Sequence, residues 1–247
     1  MALTFANREV CNLIFCDFAT QKPIHNLDYA NATSQELTGE QVYAYGGQGH
    51  PKRVTFYGEK GGTLTVETQL MSSELFAICT GAEIETAAKF LKRMELKADN
   101  GSITVPGNTT LSEAPGALTV YKADDDMGTP LEASISGKTI TLSGDASTHT
   151  GDCIVYAMEN LETGVKKMSI KATTFPKAVT IYGETLMKGE DGVDYPYKMI
   201  AYKASPQQTF SFGFSNSGDP VTLTLNFDLL ADKDDNIMDM ILIEEQA

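Results

Sequence analysis

Apolar and polar side chains alternate with a period of two along most of this chain, which is the pattern of half-buried β-strands. Val54 and Phe56 alternate with Arg53, Thr55 and Tyr57, and Leu64 and Val66 alternate with Thr63, Thr65 and Glu67. Glu59-Lys60-Gly61-Gly62 between the two runs reads as a turn, so Arg53–Glu59 and Thr63–Gln69 are expected to form a hairpin with one dry face. A further strand is expected over Gln41–Tyr45. One helix follows at Ser73–Thr80. Ser72 can accept from its first N–H groups, Glu74 sits in its positive first turn and Gly81 can close it in the left-handed conformation. Residues 84–98 carry both periods, and from Phe90 onward we read a strand that ends at the Asn100-Gly101 turn.

From Ser102 to about Thr174 the pattern shortens. Ile103–Val105, Leu118–Lys122, Thr139–Leu142, Cys153–Met158 and Lys167–Ala172 are separated by Pro- and Gly-rich turns, the spacing of a small immunoglobulin-like sandwich. Longer strands return over Ala178–Met187, Asp194–Lys203, Gln208–Phe214, Val221–Leu230 and Ile237–Ile243. Phe210, Phe212 and Phe214 share one expected face, as do Val221, Leu223, Leu225 and Phe227. The start of the chain has no sustained period and is broken by Pro23, His25, Asn26 and Asp28, which reads as an extended arm. The expected organisation is an arm over 1–30, a β domain split between 31–102 and 175–247, and an inserted β domain over 103–174. The expected fold class is mainly β, a sandwich or split barrel with one short helix and the inserted sandwich.

Composition narrows what such a protein can do. At 247 residues the chain can bury a substantial core, and no apolar run is long enough to cross a membrane as a helix. The first residues lack the basic start and apolar stretch of a secretory signal, so synthesis in the cytosol is expected. A formal charge of −14 repels polyanions and argues against specific nucleic-acid binding. The four cysteines, Cys11, Cys16, Cys79 and Cys153, have no metal or disulfide spacing and read as buried thiols.

Reactive motifs are scarce. Tyr45-Gly46-Gly47-Gln48-Gly49-His50-Pro51-Lys52 lacks the glycine spacing and the Lys-Ser/Thr ending of a phosphate loop. His25, His50 and His149 stand apart in expected loops, without metal or triad spacing. Asp124-Asp125-Asp126 and Asp232-Lys233-Asp234-Asp235-Asn236 are acidic turns without the glycine and terminal Glu of a calcium loop. Neither a catalytic residue, a metal site nor a cofactor is expected, and the chain reads as a non-enzyme.

Val42-Tyr43-Ala44-Tyr45-Gly46-Gly47-Gln48-Gly49, Lys52-Arg53-Val54-Thr55-Phe56-Tyr57-Gly58, Thr63-Leu64-Thr65-Val66-Glu67-Thr68-Gln69 and Glu74-Leu75-Phe76-Ala77-Ile78-Cys79-Thr80-Gly81-Ala82 resemble segments of phage tail tube (major tail) proteins of long-tailed phages. Near the C-terminus, Ile181-Tyr182-Gly183-Glu184-Thr185-Leu186, Lys203-Ala204-Ser205-Pro206 and Ser217-Gly218-Asp219-Pro220-Val221-Thr222-Leu223-Thr224 add to the likeness. The resemblance implies a homo-oligomer of hexameric rings stacked into a hollow tube, joined to other tail proteins in the virion. DNA would pass through without specific binding, the membrane is not involved, and the insert would decorate the outside. The polar faces of the inferred strands supply candidate lumen residues: Thr63, Thr65, Glu67, Thr222, Thr224, Asn226 and Asp228. A different β-rich virion component (head decoration or baseplate), a carbohydrate-binding β module using the loop tyrosines, and an unrecognised hydrolase are the alternatives.

Overall fold

The computed structural model describes residues 4–209, 211, 213, 214, 216, 218 and 220–244. The chain is mainly β with one α-helix among the described residues, and it divides into two compact units. The first comprises Met1–Glu83 with Met168–Ala247, and the second comprises Ile84–Lys167. In chain order the first unit begins with β1 (Phe5–Ala6), β2 (Asn12–Asp17), β3 (Pro23–Leu27), β4 (Ala32–Tyr45), β5 (Lys52–Thr68) and α1 (Ser73–Thr80). The second carries β6 (Ile84–Glu85), β7 (Ala88–Asp99), β8 (Ser102–Thr104), β9 (Leu118–Lys122), β10 (Ala133–Ser136), β11 (Thr139–Leu142) and β12 (Gly151–Leu161). β13 (Lys167–Met168) marks the return, and β14 (Val179–Gly189), β15 (Asp194–Pro206), β16 (Leu223–Leu230) and β17 (Met238–Leu242) complete the first unit.

The first unit is a nine-stranded sheet in the order β3-β2-β14-β15-β16-β5-β4, with β1 added to β14 and β17 to β15. Its pivot is β15. The partners of β14 step from Val179↔Ala204 to Ile181↔Ala201, so β15 carries one extra residue there. Such a bulge bends a strand and increases its twist. Before the bulge β15 pairs with β17, and after it with β16. The sheet curls at this corner, and its two halves enclose Leu13, Phe15, Ile181 and Met199 with Leu64, Val66, Leu225 and Phe227. The Phe15 and Phe227 rings, both fully buried, lie 5.6 Å apart.

The helix runs over the residues the sequence indicates. Leu75 N–H donates to Ser72 Oγ at 3.0 Å, and Gly81, at φ 71°, donates its N–H to the Ala77 carbonyl. A side chain at Gly81 would meet the Phe175 carbonyl at 2.5 Å, so both conformation and space require glycine. Leu75, Ile78 and Cys79 enter the core of the first unit. His25 lies 3.2 Å from the Tyr29 hydroxyl and 3.4 Å from Ser72 Oγ, beside the start of this helix.

Three expectations change. Residues 4–30 are not an arm: β2 and β3 are sheet strands, with Leu13, Phe15 and Leu27 fully buried; Pro23, His25 and Asn26, expected to break the chain, lie within β3, and the turn between the two strands runs from Asp17 to Lys22. Glu59-Lys60-Gly61-Gly62 is not a turn, because β5 runs unbroken through it and pairs with β4. Glycine serves close approach there, since a Cβ at Gly62 would meet the Glu36 carbonyl at 2.5 Å. The insert begins at Ile84 and ends at Lys167, because the Asn100-Gly101 turn ties β7 to β8 inside it. For the strand expected at Gln208–Phe214, Phe210 and Phe212 lie outside the described residues, and the described ones there are not in a strand.

The second unit is one six-stranded sheet, β10-β11-β8-β7-β12-β9, rather than the two stacked sheets expected. Its outer strands meet: Leu131 N–H donates to the Val120 carbonyl at 2.8 Å, which nearly closes a barrel. Ile103, Val120, Ile140, Cys153 and Val155 fill the interior. β6 pairs with β13, and Lys167 binds Glu85 at 2.9 Å, so this unit starts and finishes at one place.

Two measurements check this core. Phe227→Ala should cost about 3–5 kcal/mol of stability in urea unfolding, the usual effect of emptying a fully buried aromatic site. His25 is held below the ordinary histidine pKa chiefly by burial, with the Glu74 and Asp28 carboxylates pushing back. The unfolded chain therefore takes up this proton first as pH falls, and folded-state stability declines on acidification through about pH 6.5. The urea midpoint should drop between pH 7 and pH 5.5, and His25→Gln should flatten that drop.

Candidate assembly surfaces and conduit face

Two surfaces of the first unit stand out. The first is a polar wall on the outer face of the sheet half formed by β4, β5, β16 and the end of β15. Residues opposite one another across strands share a face, and the register aligns three rows: Ala32–Glu67–Thr224, Ser34–Thr65–Asn226 and Glu36–Thr63–Asp228–Ser205. Six of the seven residues singled out from sequence therefore meet on one surface: Thr63, Thr65, Glu67, Thr224, Asn226 and Asp228. Thr222 lies just before β16 and is exposed, outside these rows. Sequence reasoning missed Ser34, Glu36 and Ser205, since the first half of β4 has no apolar alternation to reveal it as a strand.

The wall is held by its own hydrogen bonds. Thr65 Oγ1 donates to Asn226 Oδ1 at 2.8 Å, and Gln207 Nε2 donates to Asp228 Oδ1 at 2.7 Å. The three rows contain the carboxylates Glu36, Glu67 and Asp228 and no lysine or arginine. In the adjoining row, Lys203 opposite Leu230, the ammonium sits 5.6 Å from the centre of the Phe18 ring. The surface offers hydroxyls, amides and negative charge, which solvate easily and do not trap an anion.

The second surface is a projecting ribbon. β16 pairs with β5 only over Gly62–Thr68, so from Lys52 to Gly61 β5 has β4 as its one partner among the described residues. β4 is also the last strand of the sheet. The ribbon has two different faces. Val42 opposite Phe56 and Ala44 opposite Val54 make one apolar face; Gln41 opposite Tyr57 and Tyr43 opposite Thr55 make the other. Phe56 is 58% exposed and Tyr57 76%. At the tip Lys52 Nζ lies 3.6 Å from the centre of the Tyr43 ring, a cation–π contact. A two-stranded ribbon with a bare dry face is marginal alone, and its open edges invite another chain.

The reactive side chains do not converge. Burial raises the Cys11 thiol to about 11 and the Cys79 thiol to about 12, and all four cysteines are buried. Among the described residues no three of His, Cys, Asp and Glu are grouped to hold a metal ion. In the acidic turn at 232–236, Asp232 Oδ1 already accepts the N–H groups of Asp234 and Asn236, which lowers its pKa. An open depression of ≈ 570 Å³ is lined by Cys11, Thr33, Gln35, Thr185 and Tyr197, with the Thr185 hydroxyl buried and unpartnered. No helix among the described residues is long and apolar enough to cross a membrane.

Curated proteins give no match to the chain. The family comparison does: a model of the YomU/Tube protein family matches residues 7–243, spanning both units, and the chain belongs to that family.

Proposed function

We propose that this protein is the structural subunit of a phage tail tube, whose copies close into hexameric rings that stack into a hollow conduit for DNA. Membership of a tube family supports the reading, and the observation that carries it is the polar wall beside the bare ribbon. One surface suits a polyanion sliding past, and the other suits contact between copies.

Strand geometry supports six copies. The wall is four strands wide, β15-β16-β5-β4, or about 19 Å at the usual strand spacing of about 4.8 Å. Six such walls joined edge to edge give a circle of backbone about 37 Å across with upright strands, and nearer 48 Å at a tilt of about 40°. Side chains narrow that to a bore that still passes a duplex. Three copies would give a circle only about 18–24 Å across by the same spacing, too narrow for a duplex once side chains are added. Joining the walls also removes the open edge of β4. Glu36, Glu67 and Asp228 would line the bore, where phosphates meet like charge; with no lysine or arginine in these three rows, DNA finds few of the counterion-releasing contacts that hold it. Function then needs no covalent chemistry, no metal and no cofactor.

Electron microscopy of the purified protein should show rings or tubes of uniform bore. Phe56→Ser should leave folding stability within about 0.5 kcal/mol, because the side chain is exposed in the single copy, and should abolish those assemblies. Persistent monomers of the unaltered protein at all concentrations would sink the reading. For the bore, the triple change Glu36→Lys, Glu67→Lys and Asp228→Lys should convert an assembly that does not retain duplex DNA into one that does. Its retention should fall steeply with salt, read by co-sedimentation.

A further inference from the structure

The other half of the same sheet carries a second dry surface. On the outer face of β3, β2, β14, β15 and β17 the register aligns Asn26–Ile14–Tyr182–Ile200–Asp239 and, beside it, Asn12–Glu184–Lys198–Ile241. Ile14 is 42% exposed and Ile241 41%. Between these rows lies a shallow depression of ≈ 560 Å³, lined by Ile14, Asp28, Tyr182, Glu184, Ile200 and Ile241. Unlike the polar wall, this face loses free energy by staying wet.

We propose that this face is the receptor for the ribbon of a second copy, with Val42, Val54 and Phe56 of one subunit seated on Ile14, Tyr182, Ile200 and Ile241 of the next. The inference rests on the tube reading and names the contact that joins its copies. Three observations select that occupant. Both surfaces expose a few apolar side chains: Val42, Val54 and Phe56 on one, and Ile14, Tyr182 and Ile241, set among Asn12, Asn26 and Lys198, on the other. Their charges are opposite: from Gln41 to Gly58 the ribbon has Lys52 and Arg53 and no acid, a formal +2 that leaves −16 for the rest of a −14 chain. The receptor carries Asp28, Glu184 and Asp239 against Lys198 alone. Finally, ribbon and receptor are different patches of one chain. Contact between them is head-to-tail, which produces closed rings or open stacks rather than isolated dimers.

Proximity between copies tests this. The native thiols are buried, so an unaltered control reports their background reaction with a short bismaleimide. Val54→Cys combined with Ile14→Cys should give ladders of cross-linked chains in assembled material; Val54→Cys alone, and Val54→Cys with Phe90→Cys in the second unit, should not. Tubes that form normally but cross-link only through Phe90→Cys, or through neither pair, overturn the receptor assignment and leave the tube reading standing. Cross-linked ladders without rings or tubes keep the contact and overturn the tube. As a second measure, Lys52→Glu with Arg53→Glu should raise the concentration needed for assembly about tenfold. Adding Asp28→Lys and Glu184→Lys should recover most of that loss, and no recovery counts against the pairing.

Discussion

The contact between Phe15 and Phe227 across the curled sheet is what the rest of the first unit hangs from. Each ring is fully buried, worth about 1.5–3 kcal/mol in apolar transfer, and the two come from strands separated by β14 and β15 in the sheet. They can meet only because β15 carries an extra residue between Ala201 and Ala204 and turns the corner. With the inner faces sealed against each other and under α1, the two outer faces become independent surfaces. One is acidic and hydroxylic, the other apolar with a carboxylate border. A flat sheet would have had to spend one whole face on the core and could not have offered both.

Much of this architecture is written in the sequence, unevenly. The helix is legible because its signals are local: a hydroxyl that accepts from the third N–H, and a glycine that alone fits against the Phe175 carbonyl. The polar wall is legible wherever alternation is strong, so Thr63, Thr65, Glu67, Thr224, Asn226 and Asp228 fall into register. What fails is any feature decided by distant partners. Gly61-Gly62 has the composition of a turn, yet its use is to let the Glu36 backbone pass close by, and that neighbour lies 26 residues upstream of Gly62. Leu13 and Phe15 alternate over only a few residues, and nothing local says that Phe227 waits for them. The bulge in β15 leaves no local mark, since Tyr202-Lys203 is ordinary strand sequence. The second unit illustrates the same limit: short strands at even spacing fit two stacked sheets or one closing sheet equally, and the bridge between Leu131 and Val120 decides.

Strand β5 joins the two functions in a single run of backbone. Its second half, from Gly62, sends Leu64 and Val66 into the core and Thr63, Thr65 and Glu67 to the wall; among the described residues its first half pairs with β4 alone. Strand β5 itself runs on from buried core to bare ribbon, with a register shift against β4 where Gly39 gives way to Gln41, so a load on the ribbon passes into the core-packed half of the strand. A loop of the same length would have had to be ordered on contact, at a cost of about 1–2 kcal/mol for each residue fixed. Holding the ribbon as paired strands meets most of that cost during folding, which leaves more of the contact energy for joining copies.

The acidity of the chain has to be reconciled with the proposed self-association. Copies bearing −14 each repel at long range, but over about 8 Å of screening at physiological salt only groups near the contact count. Lys52 and Arg53 place two positive charges at the ribbon's tip, beyond Glu40, Glu59 and Lys60 at its base, so a copy approaching tip-first meets attraction where others meet repulsion. Net charge therefore discourages disordered clustering, while one basic projection selects the productive geometry. The same arithmetic applies to cargo. In the proposed tube a duplex would see Glu36, Glu67 and Asp228 and none of that basic tip, so the field that keeps copies apart in solution would also keep DNA moving.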